Sequence, residues 1–334
     1  MKKRILGQFF TKKNIWLKPQ VIEFIKESGC DIAYDPFAGS GDMLEAMRGL
    51  GFKKNVGLDI DSSHRYKTND SLISIPKLKK ALIVTNPPYL TNYSAKRKNI
   101  YDNVAKYFKM THYSDLYLLA LEKMLEAQDF VLAIVPETFI NSNFKHFGRL
   151  VSISILEENC FDDTENPVCV VCFNGKYKTL DKIKIYKNDN FIDNLDNLER
   201  QRLRPTKKIN LVFNKKEGII ALRAVDGTDP KTKISFDYKE NLKYNLSGIK
   251  HSSRLITIID MQLKEELLSD YIYHCNELLE GYRKSTHDIL LSPFKGNNRA
   301  GNRRRRLDYE TARAIMEKAF AKIEGQHNGQ YKLI

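Results

Sequence analysis

The sequence predicts an α/β protein, with a doubly wound, Rossmann-like parallel sheet first and a second, mixed α/β domain after it. Three observations lead there. A short strand-like run, Asp31 to Tyr34, enters the loop Asp35-Pro36-Phe37-Ala38-Gly39-Ser40-Gly41-Asp42 and then the helical stretch Met43 to Leu50. A second run, Val56 to Asp61, places Asp59 24 positions after Asp35. An acidic residue roughly 20 positions on closes the second strand of a nucleotide-binding α/β unit. A third apolar run, Ala81 to Val84, is stopped by Asn86-Pro87-Pro88-Tyr89, because neither proline has an amide to donate to a ladder.

In chain order, Leu6-Gly7-Gln8-Phe9-Phe10-Thr11 lies in a basic segment too short to be a domain. Pro19 to Ser28 reads as a helix with Val21, Ile22, Phe24 and Ile25 as its apolar stripe. The two glycines of the loop at residues 35–42 let a ligand approach backbone amides at a helix start. Asn69-Asp70 falls at a third loop, where a carboxylate can accept from an adenine amino group or simply cap a solvated turn. A helix ending at Gln128 and an apolar strand, Phe130 to Pro136, follow the tetrad. Cys169 and Cys172 form a CxxC inside VCVVCF, where a strand sends them to opposite faces, a poor arrangement for a metal or a disulfide. The other cysteines (Cys30, Cys160, Cys275) are scattered, which implies reduced thiols.

The 334 residues carry 55 Lys and Arg against 41 Asp and Glu, a formal net charge of +14 that implies a polyanionic partner. Residues 175–334 hold 32 basic and 21 acidic side chains, a net +11, whereas residues 1–174 are at +3. No apolar run is long enough to span a bilayer, so no membrane association and a cytoplasmic location are expected.

The tetrad's chemistry suits methyl transfer to an amine conjugated with a ring. The Asn86 side-chain oxygen and the Pro87 carbonyl can each accept one hydrogen of the same NH2 group, which localises its lone pair without a strong base. Tyr89 can stack on the ring, a contact worth roughly 1–3 kcal/mol in nucleic-acid sites.

The order of these segments, GQFFT, DPFAGSGD, GLDID, ND, NPPY, then SDLY and FVLAIVPETFINS, resembles the S-adenosylmethionine-dependent amino-methyltransferases. It is most similar to bacterial type II restriction-modification N6-adenine DNA methyltransferases of the gamma arrangement. The likeness covers residues 5–174 and implies a class I methyltransferase sheet over residues 1–174, with a basic DNA target-recognition domain at 175–334. It implies S-adenosyl-L-methionine as cofactor, held by Gln8, Phe10 and Thr11, by Asp35, Pro36, Phe37, Gly39 and Gly41 around the methionine part, by Asp59 at the ribose and by Asp70 at the adenine amine. Asn86, Pro87, Pro88 and Tyr89 would hold a target adenine flipped out of duplex DNA, at a cost of a few kcal/mol of unstacking. Asp42 departs from the family, which commonly has an apolar residue there.

Phosphate contacts are expected from the basic half, from Lys207, Lys208, Lys215, Lys216 and Arg223 and above all from KGNNRAGNRRRR. That segment reads as a loop, with Lys295, Arg299, Arg303, Arg304, Arg305 and Arg306 for phosphates and Asn297, Asn298 and Asn302 for bidentate adenine contacts. Leu307 to Glu324 reads as a helix capped by Asp308. The expected role is protection of DNA from a cognate restriction endonuclease that need not touch the protein, which would act as a monomer. An NPPY enzyme acting on RNA or on protein glutamine, and a non-catalytic DNA-binding specificity module, are the alternatives.

Overall fold

The computed structural model describes residues 14–161, 165–242 and 255–326. The chain divides into two compact units, residues 1–197 and 198–334.

The first unit is the doubly wound α/β sheet expected from the sequence. Its strands are β1 (Ile32–Asp35), β2 (Lys54–Asp59), β3 (Lys67–Thr68), β4 (Ala81–Thr85), β5 (Phe130–Pro136), β6 (Leu150–Leu156), β7 (Val168–Phe173), β8 (Lys184–Lys187) and β9 (Asn190–Asn194). They lie in the order β3-β2-β1-β4-β5-β7-β6-β8-β9. From β3 to β5 every pairing is parallel, and β7 runs antiparallel between β5 and β6.

Helix α1 (Pro19–Glu27) opens with proline at its first turn, where the missing amide costs no hydrogen bond. It packs with α2 (Asp42–Gly49) on one face of the sheet, against Ala33, Leu82, Val84, Leu132 and Ile134. The alternate residues Ile83, Val131 and Ala133 turn to the other face. There the right-handed connection from β4 to β5 runs through α3 (Asn92–Arg97), α4 (Tyr101–Lys109) and α5 (Leu116–Ala127). Nine residues of α5 are buried, so it is apolar nearly all round.

The carboxyl end of α5 is closed by one buried side chain. Arg149 donates to the carbonyls of Leu125 (2.8 Å), Gln128 (3.2 Å), Asp129 (3.2 Å) and Asn174 (3.0 Å). Three of those carbonyls are the orphan acceptors at a helix end and its exit loop.

The domain boundary expected at 174/175 falls inside this sheet. Strand β8 pairs in parallel with β6, and β9 pairs with β8. Residues just past the boundary therefore complete the first unit, which runs to Asn197 through the start of α6 (Leu195–Gln201). Cys169 and Cys172 lie on β7, fully buried. Cys172 joins the core shared with α1 and α2, and burial pushes its thiol up to about 12.

The second unit is mixed α/β, as expected. Strands β10 (Val212–Phe213), β11 (Ile220–Arg223), β12 (Ser235–Tyr238) and β13 (Ile256–Asp260) form an antiparallel sheet in the order β10-β13-β11-β12. Helix α7 (Glu265–Ser285) covers its β12 edge. Asn276 of α7 accepts from Phe236 N and donates to Phe236 O, both at 2.9 Å, taking the place of a neighbouring strand. Helix α8 (Tyr309–Gln326) starts where predicted, with Asp308 Oδ1 capping Thr311 N at 2.8 Å, and Tyr271 of α7 donates to the Met316 carbonyl at 3.0 Å.

The segment expected as a basic loop is instead a hairpin of β14 (Ser292–Asn297) and β15 (Arg303–Arg306). Arg303 and Arg305 are buried, Arg305 at 1% exposure. Beside them, Asp226 ties the backbone of β15 to α7. It accepts from Arg283 at 2.8 and 2.9 Å, from Ile234 N and from Arg305 N, while the Arg304 guanidinium donates to its carbonyl and lies over Phe294. Burial alone would raise the Asp226 carboxyl, but Arg283 and those amides hold it below the usual range. In the turn, Asn298 Oδ1 accepts from Ala300 N and Asn302 N, and Asn297 Nδ2 donates to Gly301 O. Asn297 and Asn298 therefore brace the hairpin, and a bidentate adenine contact would break those bonds. Lys295 and Arg299 are exposed.

Arg149→Met should lower the unfolding free energy by about 3 kcal/mol, because it strands buried carbonyls while conserving volume. An unchanged urea midpoint would show that Arg149 does not close α5.

Candidate active site

Parallel strands bring the expected cofactor and tetrad segments of the described chain to the carboxyl end of the sheet. Asp35 ends β1, Asp59 ends β2, and Asn86 follows Thr85 at the end of β4. Strand β4 is buried along its whole length between β1 and β5. Where its ladder stops at Pro87 and Pro88, a cleft opens that is lined by Phe37, Asp59, Ile60, Asp70, Asn86 and Pro88.

Each acidic group is positioned by the backbone or by a neighbour. Asp35 is 1% exposed, and its Oδ1 accepts from Phe37 N at 3.0 Å and from Thr85 Oγ1 at 2.5 Å. Burial pushes its carboxyl up to about 7 despite those two bonds, with Asp59 and Asp42 adding to the rise. No cation of the described residues forms an ion pair with it. A buried carboxylate surrounded by other carboxylates is an unmet demand for positive charge.

Asp59 fastens the glycine loop. Its Oδ2 accepts from Gly39 N and its Oδ1 from Asp61 N, both at 2.8 Å. A carboxylate has about four acceptor positions, so two remain for a ligand's hydroxyls. Gly41 caps α2 in a left-handed conformation (φ 94°). The Tyr66 ring packs over Gly57 and its hydroxyl lies against Gly41, so a Cβ at either position would collide with it. Arg65 holds that hydroxyl at 2.9 Å.

Asp70 lines the same cleft. Its Oδ2 accepts from Lys106 Nζ and Tyr107 OH of α4, both at 2.9 Å, whereas its buried Oδ1 has no hydrogen-bond partner. Leu72, Val104 and Leu116 supply apolar walls beside it.

In the tetrad, Tyr89 donates its hydroxyl to the Ile134 carbonyl of β5 at 2.8 Å. Its ring meets Tyr117 and Phe161 edge-on at 6.4 and 6.2 Å, and burial holds its hydroxyl protonated well beyond the ordinary range. Tyr89 is thus fixed against the core shared with α1 and α2, and Asn86 and Pro88 are the tetrad residues that line the cleft. Gln8, Phe10 and Thr11 lie outside the described residues.

Several residues of this site carried no signal in the sequence. Thr85 is an unremarked strand residue that touches Asp35 only because β1 and β4 are neighbours. Lys106 and Tyr107 reach Asp70 across 36 and 37 positions. Directly after the tetrad, α3 is capped by Thr91 and tied by Asn92 N to Ser114 O at 2.8 Å. It exposes Tyr93, Lys96, Arg97 and Lys98. Residues 91–114 hold five basic side chains and one acidic one, a local basic surface hidden by the near-neutral average of the first half.

No protein-family model matches the sequence, and no curated protein matches it significantly. Among solved structures, the chain is similar to a type I restriction-modification methyltransferase subunit from Streptococcus thermophilus, with 17% identity, a TM-score of 0.38, and coverage of 58% of this chain and 53% of that one. It is also similar to a class I S-adenosylmethionine-dependent methyltransferase from Listeria monocytogenes, with 11% identity, a TM-score of 0.37, and coverage of 51% and 64%. The type I restriction enzyme EcoKI M protein aligns with 14% identity and a TM-score of 0.37 over 96% of this chain and 71% of that one. The first two alignments span less than two thirds of those proteins.

The Asp35 carboxyl gives the fold a pH signature. Its ordinary value is 3.8 and its folded value about 7, so between those limits the folded state keeps a proton that the unfolded state has lost. Stability therefore falls as pH rises through that window, by on the order of 4 kcal/mol in total. Asp35→Asn should remove this slope, so that the variant's Tm gains on wild type from pH 5 to pH 8. Parallel Tm profiles would show that Asp35 does not carry the penalty.

Proposed function

We propose that this protein is an S-adenosylmethionine-dependent methyltransferase that modifies adenine N6 in duplex DNA. The observation that carries the reading is the shared cleft. Residues suited to a nucleoside (Phe37, Asp59, Asp70) line the same cavity as Asn86 and Pro88 of the tetrad, and Asp35 is hydrogen-bonded to Thr85, the residue before Asn86.

The residues fit that cofactor. Asp35 seeks a positive group, Asp59 has acceptor positions left, and Asp70 holds one unpartnered acceptor. When bound, the cofactor would supply a methyl group on a cationic sulfur. Asn86 and the Pro87 carbonyl would accept the two hydrogens of the target amine and turn its lone pair toward that methyl. Tyr89, fixed by Ile134, would confine the ring. Because the amine needs no prior deprotonation, orientation supplies most of the rate.

A duplex substrate requires the adenine to leave the stack, and phosphate contacts must hold the DNA meanwhile. The exposed Lys96, Arg97 and Lys98 beside the tetrad are suited to this, as are Lys295 and Arg299 of the second unit, whose half of the chain holds most of the excess charge. Protection of a recognition site from a cognate restriction endonuclease is the biological role we assign, with the gamma order of motifs in its support.

Duplex DNA incubated with the protein and methyl-labelled cofactor should yield labelled N6-methyladenine on nucleoside mass analysis. Label on RNA or on protein glutamine instead would replace the substrate assignment. Asn86→Ala should abolish transfer while equilibrium dialysis still detects cofactor binding. Replacing Lys96, Arg97 and Lys98 by Ser should reduce the slope of log K against log salt by about 2–3, and an unchanged slope would remove α3 from the DNA surface.

A further inference from the structure

The step from β2 to β3 is short for a parallel pair. Such neighbours normally need a crossover of about a dozen residues or more, most often carrying a helix. Here residues 60–66 make the step and hold no helix. A right-handed crossover helix would lie beside α2, on the same face of the sheet. In its place stands one side chain, Tyr66. Its ring lies over Gly57 of β2 and packs against the core shared with α1 and α2. Its hydroxyl fills the space that a Cβ at Gly41 would need, and Arg65 Nη2 donates to that hydroxyl at 2.9 Å. The Arg65 guanidinium also lies over the ring, 5.2 Å from its centroid.

The glycine loop is thereby held from two sides. On one, Asp59 Oδ2 accepts from Gly39 N at 2.8 Å, and Ala38 N donates to Leu58 O at 2.9 Å. On the other, Tyr66 backs Gly41, which turns through φ 94°. A glycine has no Cβ to restrict its backbone, so its position depends on what it packs against. We infer that Tyr66 is a positioning residue, which stands in for a crossover helix and, through Gly41, sets affinity for the amino-acid part of the cofactor; this rests on the cofactor reading above. The nucleoside part is gripped by Asp59 and the far wall of the cleft, neither of which Tyr66 holds.

The test is calorimetric binding to the full chain of S-adenosylhomocysteine and of methylthioadenosine, which shares the nucleoside but lacks the amino-acid part. Tyr66→Ala should weaken S-adenosylhomocysteine by about tenfold or more and leave methylthioadenosine unchanged. Tyr66→Phe, which removes only the hydroxyl, should act with the same selectivity but to a smaller extent. Gly57→Ala inserts a methyl under the ring and should shift the ratio of affinities in the same direction. Combined with Tyr66→Ala it should add nothing, because the methyl then has room. Equal weakening of both ligands, or a lowered Tm with the ratio intact, would make Tyr66 ordinary packing and overturn the inference, as would additive losses in the double variant. Failure of wild type to bind S-adenosylhomocysteine would instead overturn the cofactor reading. If Tyr66→Ala does not fold, Tyr66→Phe decides, and wild-type affinity for S-adenosylhomocysteine in that variant would overturn the inference.

Discussion

The hydrogen bond from Thr85 Oγ1 to Asp35 Oδ1, 2.5 Å long, joins the carboxyl ends of β1 and β4. These two strands flank the point where the order of the sheet reverses, since the chain leaves β1 toward β2 and leaves β4 toward β5. Diverging connections at such a point leave a crevice that neither helix layer fills. The Thr85 hydroxyl closes its floor. On one side the bond ends in the Asp35 loop that presents Gly39 and Gly41, and on the other it ends one residue before Asn86. The bond thus links the carboxyl end of β1 directly to the strand that carries the tetrad.

Most of this edge was legible in the sequence because its signals are local. Pro87 and Pro88 end β4 by lacking amides, the Gly39 and Gly41 loop must bend where it does, and Asp59 closes an apolar run. The unread part is tertiary. Thr85, Lys106 and Tyr107 acquire their roles only when β4 and α4 come to lie beside Asp35 and Asp70. The extent of the first unit was misread for the same reason. Strands β8 and β9 are short and half-polar, and nothing local marks them as additions to a sheet that the chain left at β7. The roles of Gln8, Phe10 and Thr11 rest on the sequence alone.

Arg303 to Arg306 make the opposite case, a strong local signal with a non-local meaning. Four consecutive arginines read as a solvated polycation, yet β15 alternates, and alternation buries Arg303 and Arg305. Asp226 fixes the strand in place, since its four accepted bonds draw the Arg283 guanidinium, the Arg305 backbone amide and the residue before β12 together. Removing one partner from such a group leaves an uncompensated charge. The hairpin therefore holds its shape through the residues that composition would assign to a ligand, and exposed positive charge is left to Lys295 and Arg299.

Charge in the first unit is layered by depth. Asp35 and Asp59 are buried and Asp70 is half-buried, whereas Lys96, Arg97, Lys98 and Lys106 are exposed. Separation keeps the two fields from cancelling, and the Lys106 to Asp70 ion pair is where the layers meet. That pair is exposed on the lysine side and shielded on the aspartate side, so salt screens the basic surface far more than the acidic floor. Salt would therefore weaken any attraction of α3 for a polyanion sooner than it weakens the field of the buried carboxylates.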